Sequence, residues 1–328
     1  MTDEAQAIQN LSPKKRKQKK FNWLAMLFIV SISVILCIPV FIIVYRYMPV
    51  ISIGSLRIDH FITFLPLLAI VIYIVAKFKM LMYILGSAAL IWLTVMGVTG
   101  KYTIKDVYYD YSAMLYALGN GAVPITFLEQ KKEFTNEDKI KAAIDLENVR
   151  PYAVDMAKKN FREYYNVAPG RTVVQSFSIF KEIYTRWVYV HDPQDQDYYA
   201  KASETMAFLK SGDGTFAGDC DDYSIFMAAC IEAIGGEVRL VRTRIDKEDG
   251  TSIGHLYPEV YIGDKKDLES ATYLIKNKLF AKWSQNKDIF YYEDDDGKIW
   301  LNFDYNDAYP GGKYQSTLRV SVLELDNN

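Results

Sequence analysis

Hydrophobic positions follow three different patterns along this chain, and each predicts a different kind of element. From Phe21 to about Tyr45 there is no charge at all, a run long enough to cross a hydrocarbon core of about 30 Å. Two further apolar runs follow, from about His60 to Ala76 and from about Met80 to Val98, with Lys77 and Lys79 in the turn between them. A cleaved signal peptide does not fit, because the first run is too long, lacks a small-residue cleavage site and is followed by two more. Three transmembrane helices are therefore predicted, at about 21–45, 60–76 and 80–98. Residues 1–20 are polar and end in a basic block, Lys14, Lys15, Arg16, Lys17, Lys19 and Lys20, predicted to be disordered. The positive-inside rule places that block and the Lys77/Lys79 turn in the cytoplasm and everything after Val98 outside it. Arg46 and Arg57 in the outer loop work slightly against this orientation.

Beyond the membrane region the period becomes helical. Residues 101–130 are rich in Tyr and Leu and broken by Gly119, Gly121 and Pro124. They read either as an interfacial helix resting on the bilayer or as a helix whose Tyr108, Tyr111, Leu115 and Leu118 pack against the soluble part. Residues 131–165 carry many charges at helical spacing, with Ile140, Ala143, Ile144 and Val154 as the apolar stripe. Ser176–Tyr189 is amphipathic, with Phe177, Phe180, Ile183, Tyr184 and Trp187 at core spacing. From Asp219 to Gly236 a helix begins with three carboxylates, ends at a Gly–Gly stop, and is apolar on nearly every side, so it is predicted to be buried.

After Gly236 the period drops to two. Glu237–Ile245 and His255–Ile262 read as strands, with Pro258 pointing to an edge or a bulge in the second. Asp267–Ser284 reads as helical. Ile289–Glu293 and Lys298–Tyr305, joined by the acidic turn Asp294–Gly297, read as a hairpin. Helices followed by an antiparallel sheet make an α+β domain. The organisation read from these patterns is a basic N-terminus (1–20), a membrane region (21–98), a helical juxtamembrane linker (99–165) and a soluble domain (166–328).

Composition narrows the function. The net charge is −2, against a dedicated nucleic-acid binder. Of three cysteines, Cys37 lies in the first apolar run, and Cys220 and Cys230 are ten residues apart on one helix, about 15 Å, which excludes a disulfide between them. Three histidines, His60, His191 and His255, are too few for a histidine-rich metal site. Asp213, Asp219, Asp221 and Asp222 cluster near the start of the buried helix, but their spacing matches no calcium loop. Solvated helix-start acids are the simpler reading, and no cofactor is expected. The Asp294–Asp296 turn is a weaker cation candidate still.

Cys220 stands at the N-terminus of the buried helix, after Gly218-Asp219, where the dipole and unpaired N–H groups favour a thiolate. Cys230, deeper in the helix, reads as an inert small hydrophobe. Asp219, Asp221 and Asp222 oppose ionisation of the thiol, so a cationic partner is needed. His255 follows Gly254 at a strand start, from which an imidazole can reach across a sheet edge to a helix N-terminus; a surface histidine is the alternative. Asp304, in Trp300-Leu-Asn-Phe-Asp-Tyr, is an acid ending an apolar strand, which calls for a partner. Asp307 reads as a loop acid.

The three segments Gly-Asp-Cys-Asp-Asp-Tyr, Gly-His-Leu-Tyr-Pro-Glu-Val-Tyr and Trp-Leu-Asn-Phe-Asp, in this order, resemble the transglutaminase-like superfamily, a papain-like cysteine fold. Trp187-Val-Tyr-Val through Ala202-Ser-Glu-Thr resembles the lead-in of its bacterial members, and the likeness covers about residues 170–312. It implies a central Cys-bearing helix packed on an antiparallel sheet, with Cys220 as nucleophile, His255 as general base and acid, and Asp304 as the group that orients the histidine. The Cys220 N–H would give one oxyanion donor, and Trp187 or Tyr189 a second. The charged stretch Asp264–Lys287 departs from the family; it either caps the cleft or decorates it.

The expectation is therefore an integral membrane protein of bacterial inner-membrane type, its N-terminus cytoplasmic and its catalytic domain extracytoplasmic. Its partners would be the lipid bilayer and a protein or peptide substrate. Three functions compete: a thiol peptidase or amidase acting through a Cys220 thioester, an acyltransferase that joins a glutamine side chain to an amine, and a non-catalytic binding module.

Overall fold

The computed structural model describes residues 23–45, 47–53, 56–192, 198–211, 214–247 and 249–325. The basic stretch 1–20, Arg46 and Asp213 lie outside the described residues. Three apolar helices come first: α1 (Trp23–Tyr45), then α2 (Asp59–Lys77) and α3 (Lys79–Val98), with the short paired strands β1 (Ser52–Ile53) and β2 (Leu56–Arg57) between the first two. Among the described residues, α2 is long and apolar enough to cross a membrane, and Ile29–Tyr45 and Ile84–Val98 are shorter apolar helical stretches. Ile35, Leu65, Leu90 and Trp92 stand exposed on them.

Helix α4 (Ile104–Ala117) starts at a capping box in which the Thr103 hydroxyl and the Asp106 carboxylate each accept from the other's backbone N–H. It packs on both sides, through a face displaced from the expected one. Tyr109, Ala113 and Tyr116 meet the domain core, with Tyr109 against Tyr164 and Tyr116 against Tyr273. Met114 and Tyr111 meet Phe41 and Tyr45 of α1. Tyr108 and Leu115 are exposed. The small side chains Ala113 and Ala117 let the helix approach closely on that face, and this turns Tyr108 and Leu115 outward.

The next strands, β3 (Val123–Pro124) and β4 (Leu128–Glu129), close the sheet. The helical layer α5 (Glu137–Ala143), α6 (Leu146–Lys159), α7 (Arg171–Tyr184) and α8 (Ala202–Ser211) follows, interrupted by β5 (Trp187–Tyr189), which pairs in parallel with β6 (Phe216–Gly218). Then come α9 (Cys220–Glu232), the long strands β7 (Val238–Asp246) and β8 (Ser252–Gly263), α10 (Lys265–Leu274), a π-helical turn (Ile275–Leu279), α11 (Ala281–Ser284), and the strands β9 (Phe290–Glu293), β10 (Ile299–Asn302) and β11 (Leu318–Glu324). The main sheet runs β3-β9-β10-β8-β7-β11-β4. Its outermost strands β3 and β4 are three residues apart in sequence and pair in parallel with β9 and β11. One short segment thus bonds to both sides of the sheet, which curls to bring β9 and β11 within its reach. The architecture is α+β, with residues 123–129 an integral part of the sheet.

Helix α9 is buried on every side, as its composition requires: Tyr223, Ile225, Phe226, Met227, Cys230 and Ile231 have no exposed surface. Leu256, Val260, Leu240 and Leu301 of the sheet pack in the same core. On the opposite face of the sheet Glu259, fully buried, bridges Arg239 (2.7 Å) and Arg319 (2.6 Å), and the two guanidinium groups lie 4.0 Å from the rings of Trp300 and Phe127. The stretch Asp264–Lys287 is a core element: Leu268, Ala271, Leu274, Ile275 and Phe280 are buried in the main cluster, and Phe280 meets Phe161, Phe177 and Phe180.

Pro258, expected at an edge or a bulge, lies neither on an outermost strand nor at a register shift of the β7–β8 ladder. It lies in the central strand β8, where it is tolerated because β10 ends beside it. Phe303, the residue after β10, donates its N–H to the Pro258 carbonyl (3.0 Å), but the proline has no N–H to return. The Phe303 carbonyl instead accepts from the Tyr223 hydroxyl of α9 at 3.1 Å. Tyr223→Phe would leave that buried carbonyl unpaired and cost about 1–3 kcal/mol. Adding Pro258→Ala supplies the missing donor, so the double variant should regain part of the loss in thermal melts. A melt in which the second change deepens the loss would contradict this account.

Candidate active site

Strand β6 delivers the chain to Asp219, which caps α9. Asp219 Oδ1 accepts from the amides of Asp221 (2.9 Å) and Asp222 (3.5 Å), and Asp222 Oδ2 accepts from the Asp219 amide (3.4 Å). Asp222 Oδ1 also accepts from the Ala200 amide at 2.9 Å. Burial pushes the Asp222 carboxyl up to about 6. The close approach needs Gly218, since a Cβ there would stand 2.5 Å from Asp222 Oδ2.

This cap makes Cys220 the first residue of the helix. Its thiol donates to Asp221 Oδ1 at 3.6 Å. Burial first, and then the neighbouring Asp221 charge, hold the thiol well above its usual range. The amide of Leu256 acts the other way, favouring the thiolate. The sulfur therefore sits against β8 one residue from His255. Ser224 fastens the same contact: its hydroxyl is 2.7 Å from the Cys220 carbonyl and 3.0 Å from the Leu256 carbonyl.

His255 lies opposite Thr243 in the register of β7 and β8, and it is buried. Its Nε2 is 2.8 Å from Asp304 Oδ2, and Nδ1 makes no hydrogen bond among the described residues. The ring stacks near Tyr257 (6.0 Å) and meets the edge of Tyr305 (5.7 Å). The sulfur and the imidazole are not hydrogen-bonded to each other; the thiol's bond goes to Asp221. Asp304, also buried, is fixed from several directions. Its amide donates to Asn302 Oδ1 (2.9 Å) and its Oδ1 accepts from the Tyr305 amide (2.8 Å). Asn302 in turn donates to the Gly312 carbonyl at 3.2 Å.

The other candidates lie elsewhere. Cys230 is fully buried within α9, and Cys37 is buried in α1. His60 is buried against Tyr45, and His191 stands beside Tyr189. Asp307 accepts from Lys287 and from the Lys313 amide. Asp294 uses its oxygens on the turn and on the Trp300 indole. Asp219, Cys220 and Asp221 each place one potential ligand atom within 4.8 Å of the others, while Asp222 is turned into the cap. Two residues escaped sequence reasoning. Asn302 carried a signal, a polar residue two before Asp304 and so on the same strand face. Gln315, whose Nε2 is 2.9 Å from Asp304 Oδ2, comes from a loop with no periodic pattern. Trp187 shows a buried indole Nε1 without a hydrogen-bond partner among the described residues, its ring edge-on to Tyr223 at 5.1 Å.

Residues 172–305 match the family model of the transglutaminase-like superfamily, a span that includes Cys220, His255 and Asp304. No curated protein matches the chain. Among solved structures, a proposed cysteine protease from Cytophaga hutchinsonii is similar at 13% identity and a TM-score of 0.32. The match covers 58% of this chain and 48% of that one, so the chain spans about half the length of that protein.

Gly218→Ala should push Asp222 out of the cap and destabilise the domain by about 1–2 kcal/mol, the usual cost of a lost helix cap. Thermal unfolding of the full-length protein in detergent measures it. A melting temperature equal to that of the parent would show that the cap does not depend on the close approach.

Proposed function

We propose that this protein is a membrane-anchored cysteine hydrolase, a peptidase or amidase, acting on an extracytoplasmic protein or peptide amide. The observation that carries the reading is the buried His255–Asp304 pair, held at 2.8 Å with Nδ1 of the imidazole uncommitted, on the strand whose Leu256 amide meets the Cys220 thiol at the start of α9. Asp304 accepts the Nε2 proton and so fixes the tautomer with its lone pair on Nδ1. The reaction requires the Cys220 thiol to exchange its bond to Asp221 for one to Nδ1. His255 takes the thiol proton, and the thiolate attacks the amide carbon to form a tetrahedral oxyanion. The Cys220 N–H at the start of α9 is one donor to that oxygen, and the unpartnered Trp187 indole is the better of the two candidates for the second. His255 then protonates the leaving amine, leaving a thioester. Water, deprotonated by His255, releases the acid and restores the thiol.

An amine in place of water would make the same site an acyltransferase, and nothing in the residues separates the two; release of product from a glutamine peptide with and without added amine does. Burial and Asp221 both disfavour a lone thiolate, so the imidazolium has to supply the compensating charge. The exposed apolar surfaces of α1, α2 and α3 support anchoring in a bilayer.

The test is alkylation of Cys220 against pH in the full-length protein in detergent, with Cys37→Ala and Cys230→Ala to clear the background. Rapid alkylation should persist well below pH 8 and be lost in His255→Ala. Alkylation that follows an ordinary thiol near ~8.5, unchanged by His255→Ala, would overturn the catalytic reading and leave a binding module.

A further inference from the structure

Gln315 occupies a position that the proposed chemistry does not account for. It lies on the exposed loop between β10 and β11, yet its side-chain amide nitrogen reaches inward to both members of the buried pair: 2.9 Å from Asp304 Oδ2 and 3.1 Å from His255 Nε2. The geometry points to Gln315 as a positioning residue that holds the His255–Asp304 pair in register and shares the Asp304 charge with the imidazole.

Hydrogen-bond chemistry makes the case. A glutamine Nε2 carries two protons and no acceptor, so its 3.1 Å approach to a protonated His255 Nε2 is not a bond between the two. Both nitrogens instead donate to the one oxygen, Asp304 Oδ2. The other oxygen is already taken by the Tyr305 amide. The carboxylate therefore divides its charge among three donors, one of which arrives from a loop outside the sheet. Each donor that stabilises the carboxylate reduces what remains for the imidazolium. If the imidazole turned to its other tautomer, the same Gln315 amide could donate to the bare Nε2 at 3.1 Å. Gln315 thus pairs with whichever of the two groups is basic.

Other titratable groups surround the pair. Cys220 and Asp221, hydrogen-bonded to each other, start α9, where the thiol meets the amide of Leu256 next to His255, and Tyr257 stacks along β8. Tyr305 follows β10, and Tyr223 of α9 feels the Asp304 charge. Burial and nearby negative charge keep the tyrosines neutral, so the fixed charges that matter are Asp304 and Asp221. Arg319 is occupied by Glu259. A change at Gln315 therefore acts on His255 chiefly through Asp304.

The inference rests on the reading of His255–Asp304 as the working pair, but its test does not need turnover. The chain has three histidines, so full-length protein labelled with 13C at histidine Cε1 gives three signals in detergent, and His255→Ala identifies the relevant one. Gln315→Met keeps the length and removes the donor. The less shielded Asp304 should then raise the His255 titration midpoint by about half a unit to one unit. Gln315→Lys replaces the neutral donor by a charged one and should lower it. Opposite shifts support a positioning role, because a loop that is only loosened would move both variants the same way. Superimposable titrations, or shifts of one sign, would overturn it. Alkylation of Cys220 in parallel separates the two ideas: a thiol indifferent to His255→Ala sinks the catalytic reading whatever Gln315 does to the imidazole.

Discussion

The site depends on a notch in the sheet. Strand β10 stops at Asn302, and Pro258 opposite its end has no N–H to continue the ladder. From there toward its N-terminus, β8 has backbone groups on that side with no strand to bond. The first turn of α9 fills the place of the missing strand. Tyr223 donates to the Phe303 carbonyl, Ser224 reaches the Leu256 carbonyl, and the Leu256 amide favours the thiolate form of Cys220. Helix and sheet are therefore joined through backbone groups whose burial would be costly if unpaired. The same junction carries Cys220 at the start of α9 and, next to Leu256 on β8, His255 with its partner Asp304. A fully apolar helix could be buried in many orientations; these three contacts fix one.

The electrostatics of the junction follow from the same burial. A thiol removed from water beside Asp221 resists ionisation, and a carboxylate removed from water needs donors. Asp304 has them in the Tyr305 amide, Gln315 and His255. The imidazole thus meets a satisfied anion through Nε2, while the thiol's own bond is to Asp221. Farther along the same face of the sheet, Glu259 is clamped between Arg239 and Arg319, and breaking such a buried set by removing one member typically costs about 3–5 kcal/mol. The enclosed face of the sheet thus carries an internal ion network at one end and the His–Asp pair at the other.

Much of this was legible in the sequence, for reasons that particular residues make plain. Helix α9 announced itself because nearly every position after Asp222 is apolar, and β7, β8 and the β9–β10 hairpin because they alternate. Strand β11 did not, because a register shift between Arg319 and Ser321 breaks its alternation and one of its buried residues is the charged Arg319. The closing strands β3 and β4 are two residues each, too short for any period. Pro258 was misleading because sequence shows only that a proline lacks a donor, not that the neighbouring strand ends beside it. Of the two readings of α4, its packing against the domain is seen, but through Tyr109, Ala113 and Tyr116. Tyr111 is turned to α1, and Tyr108 and Leu115 are exposed, because the helix meets two partners and not one. Cys220, His255 and Asp304 could be singled out because each residue type is anomalous in its own segment. Gln315 is an ordinary residue in an ordinary loop, and its role exists only in three dimensions.

The N-terminal apolar helices are packed into the domain rather than strung from it. Helix α4 lies between α1 and α10, with Met114 against Phe41 and Tyr45 on one side and Tyr116 against Tyr273 on the other. Tyr45, at the end of α1, donates to Asp59 at 3.0 Å and contacts Glu269 at 3.4 Å, and the Lys266 ammonium stands 4.2 Å from its ring. The chain then continues from α4 directly into residues 123–129, which close the sheet. Apolar helices, closing strands and the charged stretch 264–287 thus form one continuous set of contacts, reaching from Tyr45 through α10 to β8, the strand that carries His255. A tether of freely rotating residues would let the site sweep a volume. Packing of this kind instead fixes the direction in which the site faces relative to the apolar helices.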